Sequence, residues 1–347
     1  MIKYLGSKRT LVPLLSQLAA ASKAKTALDL FTGTTRVARA FKALGINTTA
    51  VDLASYSAIF AKTWIALDAR EHSAKELKDA LQALNAVEGV AGYFTQTFCL
   101  DARYFQPKNG EKVDAIRSVI ETDYKGSWLY EPLLASLILA ADRVDSTTGM
   151  QMAFLKAWSA RSNNSLQLRD PELMKGKGTA VWGDAIALAP GLLNVDLAYL
   201  DPPYNQHRYF GNYHIWETLV RWDAPEHYGI ANKRIDVRGG ENRSAFNSKK
   251  TMPLALGEIV RSVNADTLVL SYNNESWLDR EELISICETR GHVAVIDVDF
   301  KRYVGSQIGV YDKSGKRVGV PGVRRNLEHV VIAGDKTTVN RMIRATK

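Results

Sequence analysis

The stretch Val195-Asp196-Leu197-Ala198-Tyr199-Leu200, followed by Asp201-Pro202-Pro203-Tyr204, decides how this chain is read. The first six residues read as a short buried strand, and two prolines lacking backbone N–H groups cannot continue it. A carboxylate, two ring-locked residues and an aromatic are therefore presented at an exposed strand end, at the carboxyl edge where open α/β sheets bind ligands. Alone, the tetrapeptide also fits a strand running into a polyproline turn. Its neighbours decide.

Upstream, Thr26-Ala27-Leu28-Asp29-Leu30-Phe31 is a compact strand that ends in Thr32-Gly33-Thr34-Thr35. Val37, Ala38, Phe41 and Leu44 then keep helical period, and Gly45 supplies a C-terminal stop. Asn47 to Val51 is rich in β-branched residues and ends in Asp52. Strand, tight turn, helix, strand and terminal acid make a nucleotide-binding βαβ unit. A dinucleotide enzyme would account for Asp52, but G-x-G-x-x-G is absent and the D-P-P-Y strand would go unexplained. Further strands are expected at Thr179 to Trp182, ending in Gly183-Asp184, at Thr267 to Tyr272, at His292 to Phe300 and at Leu327 to Ala333. Residues 55 to 91 read as helical. Between residues 92 and 176 the strand–helix rhythm lapses, with helical periods at Val113 to Ile120, Leu133 to Ile138 and Met152 to Trp158. The expected organisation is a catalytic domain of residues 1–91 and 177–347, interrupted by a helical insertion, 92–176, that is a candidate recognition element.

The 347 residues carry a net charge of +8, which favours a polyanionic partner. Much of the excess is concentrated. Between Lys301 and Asn326, seven Lys and Arg face a single Asp, and Lys313, Lys316, Arg317, Arg324 and Arg325 are the candidate phosphate contacts. Lys313-Ser314-Gly315-Lys316 suits a hairpin turn. Cys99 and Cys287 are too few for a disulfide framework and lack metal-ligand spacing, so no metal is expected. Near the N-terminus Leu11, Leu14, Leu15 and Leu18 have amphipathic-helix spacing rather than that of a signal peptide. No apolar run approaches the roughly 20 residues that cross a bilayer, and a cytoplasmic protein is expected.

The D-P-P-Y chemistry suits methylation of an exocyclic amine on a base ring. That amine's lone pair is delocalised into the ring, so acceptors must hold its hydrogens while the nitrogen attacks. Asp201 and the carbonyl of Pro202 supply acceptors, and Tyr204 a face for the base. Four further signals suit S-adenosylmethionine as the methyl donor. Asp52 can accept both ribose hydroxyls. The turn from Phe31 to Gly33 lets backbone approach the cofactor without an intervening side chain. Asp184 is placed to accept from the adenine amino group, and Lys8, within Tyr4-Leu5-Gly6-Ser7-Lys8, to pair with the amino acid carboxylate.

On these residues the chain resembles the D12-class, Dam-like DNA adenine-N6 methyltransferases. Tyr4 to Lys8 is similar to the family's W-x-G-G-K element, with Tyr for Trp and Ser for one Gly. Asp29 to Thr35 is similar to its D-x-F-x-G-x-G loop, with Thr35 in place of the final glycine. Asp201 to Tyr204 matches the catalytic tetrapeptide unchanged. The resemblance covers residues 3 to 52 and 179 to 300, and is vague between 92 and 176. It implies a Rossmann-like S-adenosylmethionine-dependent methyltransferase fold with a mostly parallel seven-stranded sheet. It also implies cofactor contacts from Tyr4, Lys8, Asp52 and Asp201, and methyl transfer to N6 of a flipped adenine in a specific duplex DNA sequence. A cognate restriction endonuclease is a possible companion. Cytosine-N4 methylation and a non-catalytic DNA-binding module that keeps a degenerate cofactor fold remain open as alternatives.

Overall fold

The computed structural model describes residues 1–204, 208–239, 244–301, 310–311, 317–319 and 325–346. Seven strands form the main sheet: β1 (Thr26–Asp29), β2 (Asn47–Asp52), β3 (Gly178–Trp182), β4 (Val195–Leu200), β5 (Ala265–Asn273), β6 (His292–Lys301) and β7 (Arg325–Gly334). Their order is β3-β2-β1-β4-β5-β7-β6. The first five are parallel, and β7 runs antiparallel to both β5 and β6. From β1 the chain builds outward through β2 and β3, then crosses to the opposite side with β4. The carboxyl ends of β1 and β4 therefore diverge at a topological switch point, where a crevice opens.

Strand β4 sits between β1 and β5 and is buried on both faces. Ala198 and Leu200 join one core with Leu256, Ile259 and Leu268, while Leu197 and Tyr199 join another with Leu15, Phe41 and Val330. This explains why its sequence is continuously apolar rather than alternating. The exception is Asp196, whose Oδ2 accepts from the backbone N–H groups of Lys25 at 2.6 Å and Thr26 at 2.9 Å. That contact fixes the register between β1 and β4.

Between β2 and β3, helices at Ala74–Ala86, Pro107–Val119 and Tyr130–Val144 pack with Ser55–Ala61 and Ala50 of β2 into one continuous core. The two helices expected in residues 107–144 are present. Two sequence expectations fail. Residues 55–91 are not continuously helical, because residues 67–73 break the run. The helix expected at Met152–Trp158 is irregular chain. Its backbone is engaged elsewhere: Leu155 N–H donates to Ser146, and Gln151 N–H to Asn212. The neighbouring loop is clamped by Arg161 on the buried Asp145, so tertiary bonds override an apolar period. Among the described residues, no helix is long and apolar enough to cross a membrane.

In the basic segment, Lys313, Lys316 and Arg324 lie outside the described residues. Val310–Tyr311 pairs antiparallel with Arg317–Gly319, and Arg325 opens β7.

Candidate active site

The crevice at the ends of β1, β2 and β4 holds a cavity of about 250 Å³ lined by Tyr4, Phe31, Asp52, Asp184, Asp201, Pro202 and Tyr204. A smaller recess beside it is lined by Tyr4, Lys8, Asp29, Phe31, Gly33 and Asp201. Every residue assigned from sequence to the cofactor or to catalysis thus reaches one or both spaces.

Asp52 ties the two loops together. Its Oδ2 accepts the Gly33 N–H at 2.7 Å and its Oδ1 the Ala54 N–H at 2.9 Å. Burial pushes its pKa up to about 6 despite those bonds. Gly33 has φ +51°, and a Cβ there would lie 3.1 Å from the Tyr4 ring. Thr35, which replaces the glycine expected in this loop, itself has φ +60°. The left-handed backbone persists without the residue that adopts it most easily, a strain of the kind that accumulates at functional sites.

The larger cavity is walled by apolar groups suited to a flat ring: Leu53, Ile186, Phe31 and Phe246, the last two edge to face at 5.2 Å. Asp184 borders it, and its Oδ1 caps the short helix Ala185–Leu188 by accepting from Ile186 N–H at 2.9 Å and Ala187 N–H at 3.1 Å.

Asp201 is less open than a strand end suggests: its side chain is 16% exposed, against 8% for Lys8. The Lys8 Nζ lies 2.9 Å from Asp201 Oδ1 and 2.5 Å from Glu328 Oε1. Burial opposes the Lys8 charge, but the two carboxylates hold its pKa well above the ordinary value. Burial also pushes the Asp201 pKa up to about 6, against the pull of Lys8. The Ser271 hydroxyl donates to Asp201 Oδ1 at 3.3 Å and is bonded to the Tyr199 hydroxyl at 2.8 Å. Tyr204 stands edge-on to Tyr272 at 5.5 Å, with the Lys8 ammonium 5.2 Å from its ring centroid.

Several members of the site were not identified from sequence. Glu328 and Ser271 carry no motif. Tyr209 and Tyr213 secure the N-terminal element: the Tyr213 hydroxyl accepts the Leu5 N–H at 2.6 Å, and its ring stacks on Tyr4 at 4.9 Å. Their i, i+4 spacing just after D-P-P-Y was the available signal. Asp29 was visible within the loop pattern but not assigned. Its Oδ2 accepts from Thr32 and Ala38, while Oδ1 is buried without a hydrogen-bond partner. Burial pushes the Asp29 pKa up to about 7. An orphaned acceptor in the recess fits the ammonium of an amino acid moiety, and with the Asp52 carboxylate and the apolar slot makes a set of groups suited to S-adenosylmethionine.

The family model described as D12 class N6 adenine-specific DNA methyltransferase matches residues 4–286. The chain belongs to this family. By that description, the family's members are N6 adenine-specific DNA methyltransferases. Among relatives, the type II methyltransferase M.NlaIII of Neisseria lactamica is 31% identical over 87% of this chain and 92% of its own length. The modification methylase StsI of Streptococcus sanguinis is 30% identical over 86% of this chain and 48% of its own. The modification methylase LlaI of Lactococcus lactis subsp. lactis is 25% identical over 95% and 54%. The chain therefore spans about half the length of StsI and LlaI and nearly all of M.NlaIII.

Proposed function

We propose that this methyltransferase modifies one specific duplex sequence, flipping the target adenine into the crevice, and that it serves as the modification partner of a restriction endonuclease in the cytoplasm. The observation that carries the reading is the Asp201 carboxylate, poised by Lys8 and Ser271 at the junction of the two cavities. S-adenosylmethionine, when bound, supplies a methyl group on a good leaving group, so positioning contributes most of the acceleration. Asp52 accepts the ribose hydroxyls, Asp29 the amino group, and Asp184 borders the adenine slot. Lys8 is already committed to two carboxylates, so its part is to hold Asp201 rather than to bind the cofactor's carboxylate. Asp201 accepts an N6 hydrogen and takes its proton once the nitrogen is alkylated. Extruding the base costs a few kcal/mol, and stacking on Tyr204 returns about 1–3 kcal/mol.

Transfer of labelled methyl from S-adenosylmethionine to duplex oligonucleotides tests the reading. Asp201→Asn keeps an acceptor but cannot take a proton, and should lower turnover about 100-fold or more. Label on cytosine, or turnover near that of the wild type, would refute it. Mapping N6-methyladenine in host DNA gives the recognition sequence.

A further inference from the structure

Glu328 lies on β7, beyond the residues that the family model matches, and 320 positions from Lys8. Its side chain is 2% exposed, yet it makes the shorter of the two Lys8 contacts, 2.5 Å against 2.9 Å to Asp201. One ammonium thus serves two carboxylates in a place with little water. A Lys8–Asp201 pair alone would be neutral, and its aspartate would be a poor base with no net pull on a cation. With Glu328 present, the ionised cluster carries one excess negative charge. Buried charge of that kind is costly unless a proton or a cation offsets it. Asp201 and Lys8 line the recess together with Gly33, Asp29 and Arg36, so the excess charge borders the space that suits the methionine end of the cofactor.

We propose that Glu328 is a positioning residue for methyl transfer: by engaging Lys8, it leaves at Asp201 a net negative charge that favours the sulfonium cofactor over its thioether product and readies Asp201 for the N6 proton. The inference rests on the methyltransferase reading above. The charges balance. The N6 lone pair forms the new C–N bond while the C–S pair returns to sulfur, and N6 then gives one proton to an Asp201 oxygen. A sulfonium and a carboxylate have become a neutral thioether and a neutral carboxyl, so the charge that retained the cofactor is gone when product must leave.

Glu328→Gln removes the charge with little change of shape, and Glu328→Asp keeps it. Calorimetry with S-adenosylmethionine and S-adenosylhomocysteine should show the preference for the former reduced about tenfold in the Gln variant, the worth of one charged contact. The acid limb of the single-turnover rate should move about one pH unit lower in Gln, because loss of a like charge favours ionised Asp201. The Asp variant should keep both properties. An unchanged preference with an unmoved acid limb in Gln, or an Asp variant that behaves as Gln does, overturns the proposal. The wild type supplies a test independent of variant folding: near pH 6, binding of S-adenosylmethionine should release more protons than binding of the thioether. Equal release overturns the role of Glu328, whereas failure to bind either compound would overturn the methyltransferase reading as well.

Discussion

The carboxylate of Asp52, at the end of β2, accepts the backbone N–H of Gly33, in the loop after β1, at 2.7 Å. One acid therefore shapes the cofactor loop and lines the cavity into which that loop opens. Asp52→Ala should weaken S-adenosylmethionine binding by roughly tenfold or more, since hydrogen bonds to a charged group contribute about 1.5–3 kcal/mol. Asp52→Asn can keep one acceptor for Gly33 and should fall between the two. Calorimetric affinities equal to the wild type in both variants would remove Asp52 from the binding site.

Gly33 combines a left-handed backbone with a close approach to Tyr4. Gly33→Ala forces an L side chain into φ +51°, at about 1–2 kcal/mol, and drives its Cβ against the Tyr4 ring. Tyr4 in turn is packed on Tyr213 and cannot retreat freely. The expected result is a destabilised protein with weakened cofactor binding. Thermal unfolding and calorimetry on the same preparation measure both, and a fully stable variant with unchanged affinity would contradict this packing.

How much of this was legible in advance follows from the range of the interactions. The βαβ unit and the D-P-P-Y strand were readable because short apolar runs, one glycine turn and terminal acids define them locally. Met152 to Trp158 has a helical apolar period, but the bonds from Leu155 to Ser146 and Gln151 to Asn212 hold it in another form. The pairing of Lys8 with Glu328 joins the first turn of the chain to its last strand, and nothing near either residue signals the other. Asp201 looked exposed because strand ends usually are. In the fold it is engaged by Lys8, through that same long-range cluster, and by Ser271 from the neighbouring strand.

Three acids in the crevice share one pH dependence. Burial raises the pKa of Asp29 to about 7 and those of Asp52 and Asp201 to about 6, from an ordinary 3.8. The folded state therefore takes up protons at higher pH than the unfolded chain. The stability these groups contribute is fully present below about pH 4 and is lost as pH rises through 6 to 7. For the cofactor-free protein, their share should make unfolding free energy increase as pH falls from about 7.5 to 5. Asp29→Asn should flatten the upper part of that rise. Urea titrations across this window decide it, and a wild-type stability that falls steadily on acidification, with the Asn variant parallel to it, would count against the three raised values.

The basic segment between β6 and β7 makes the last prediction. Seven cationic residues face one acid from Lys301 to Asn326, and within this segment Val310–Tyr311 pairs antiparallel with Arg317–Gly319. Phosphate contacts make duplex binding weaken with salt, with a logarithmic slope of about −0.9 for each phosphate neutralised. Replacing Lys313, Lys316 and Arg317 with alanine should flatten the slope by up to roughly three units if each residue meets one phosphate. Cofactor affinity should stay at the wild-type value, because the crevice is built from other residues. Anisotropy titrations of both proteins on one oligonucleotide, over a series of salt concentrations, provide the comparison. Equal slopes would assign this charge to solvent and direct the search for the DNA-reading surface to residues 205–253 or to the helices between β2 and β3.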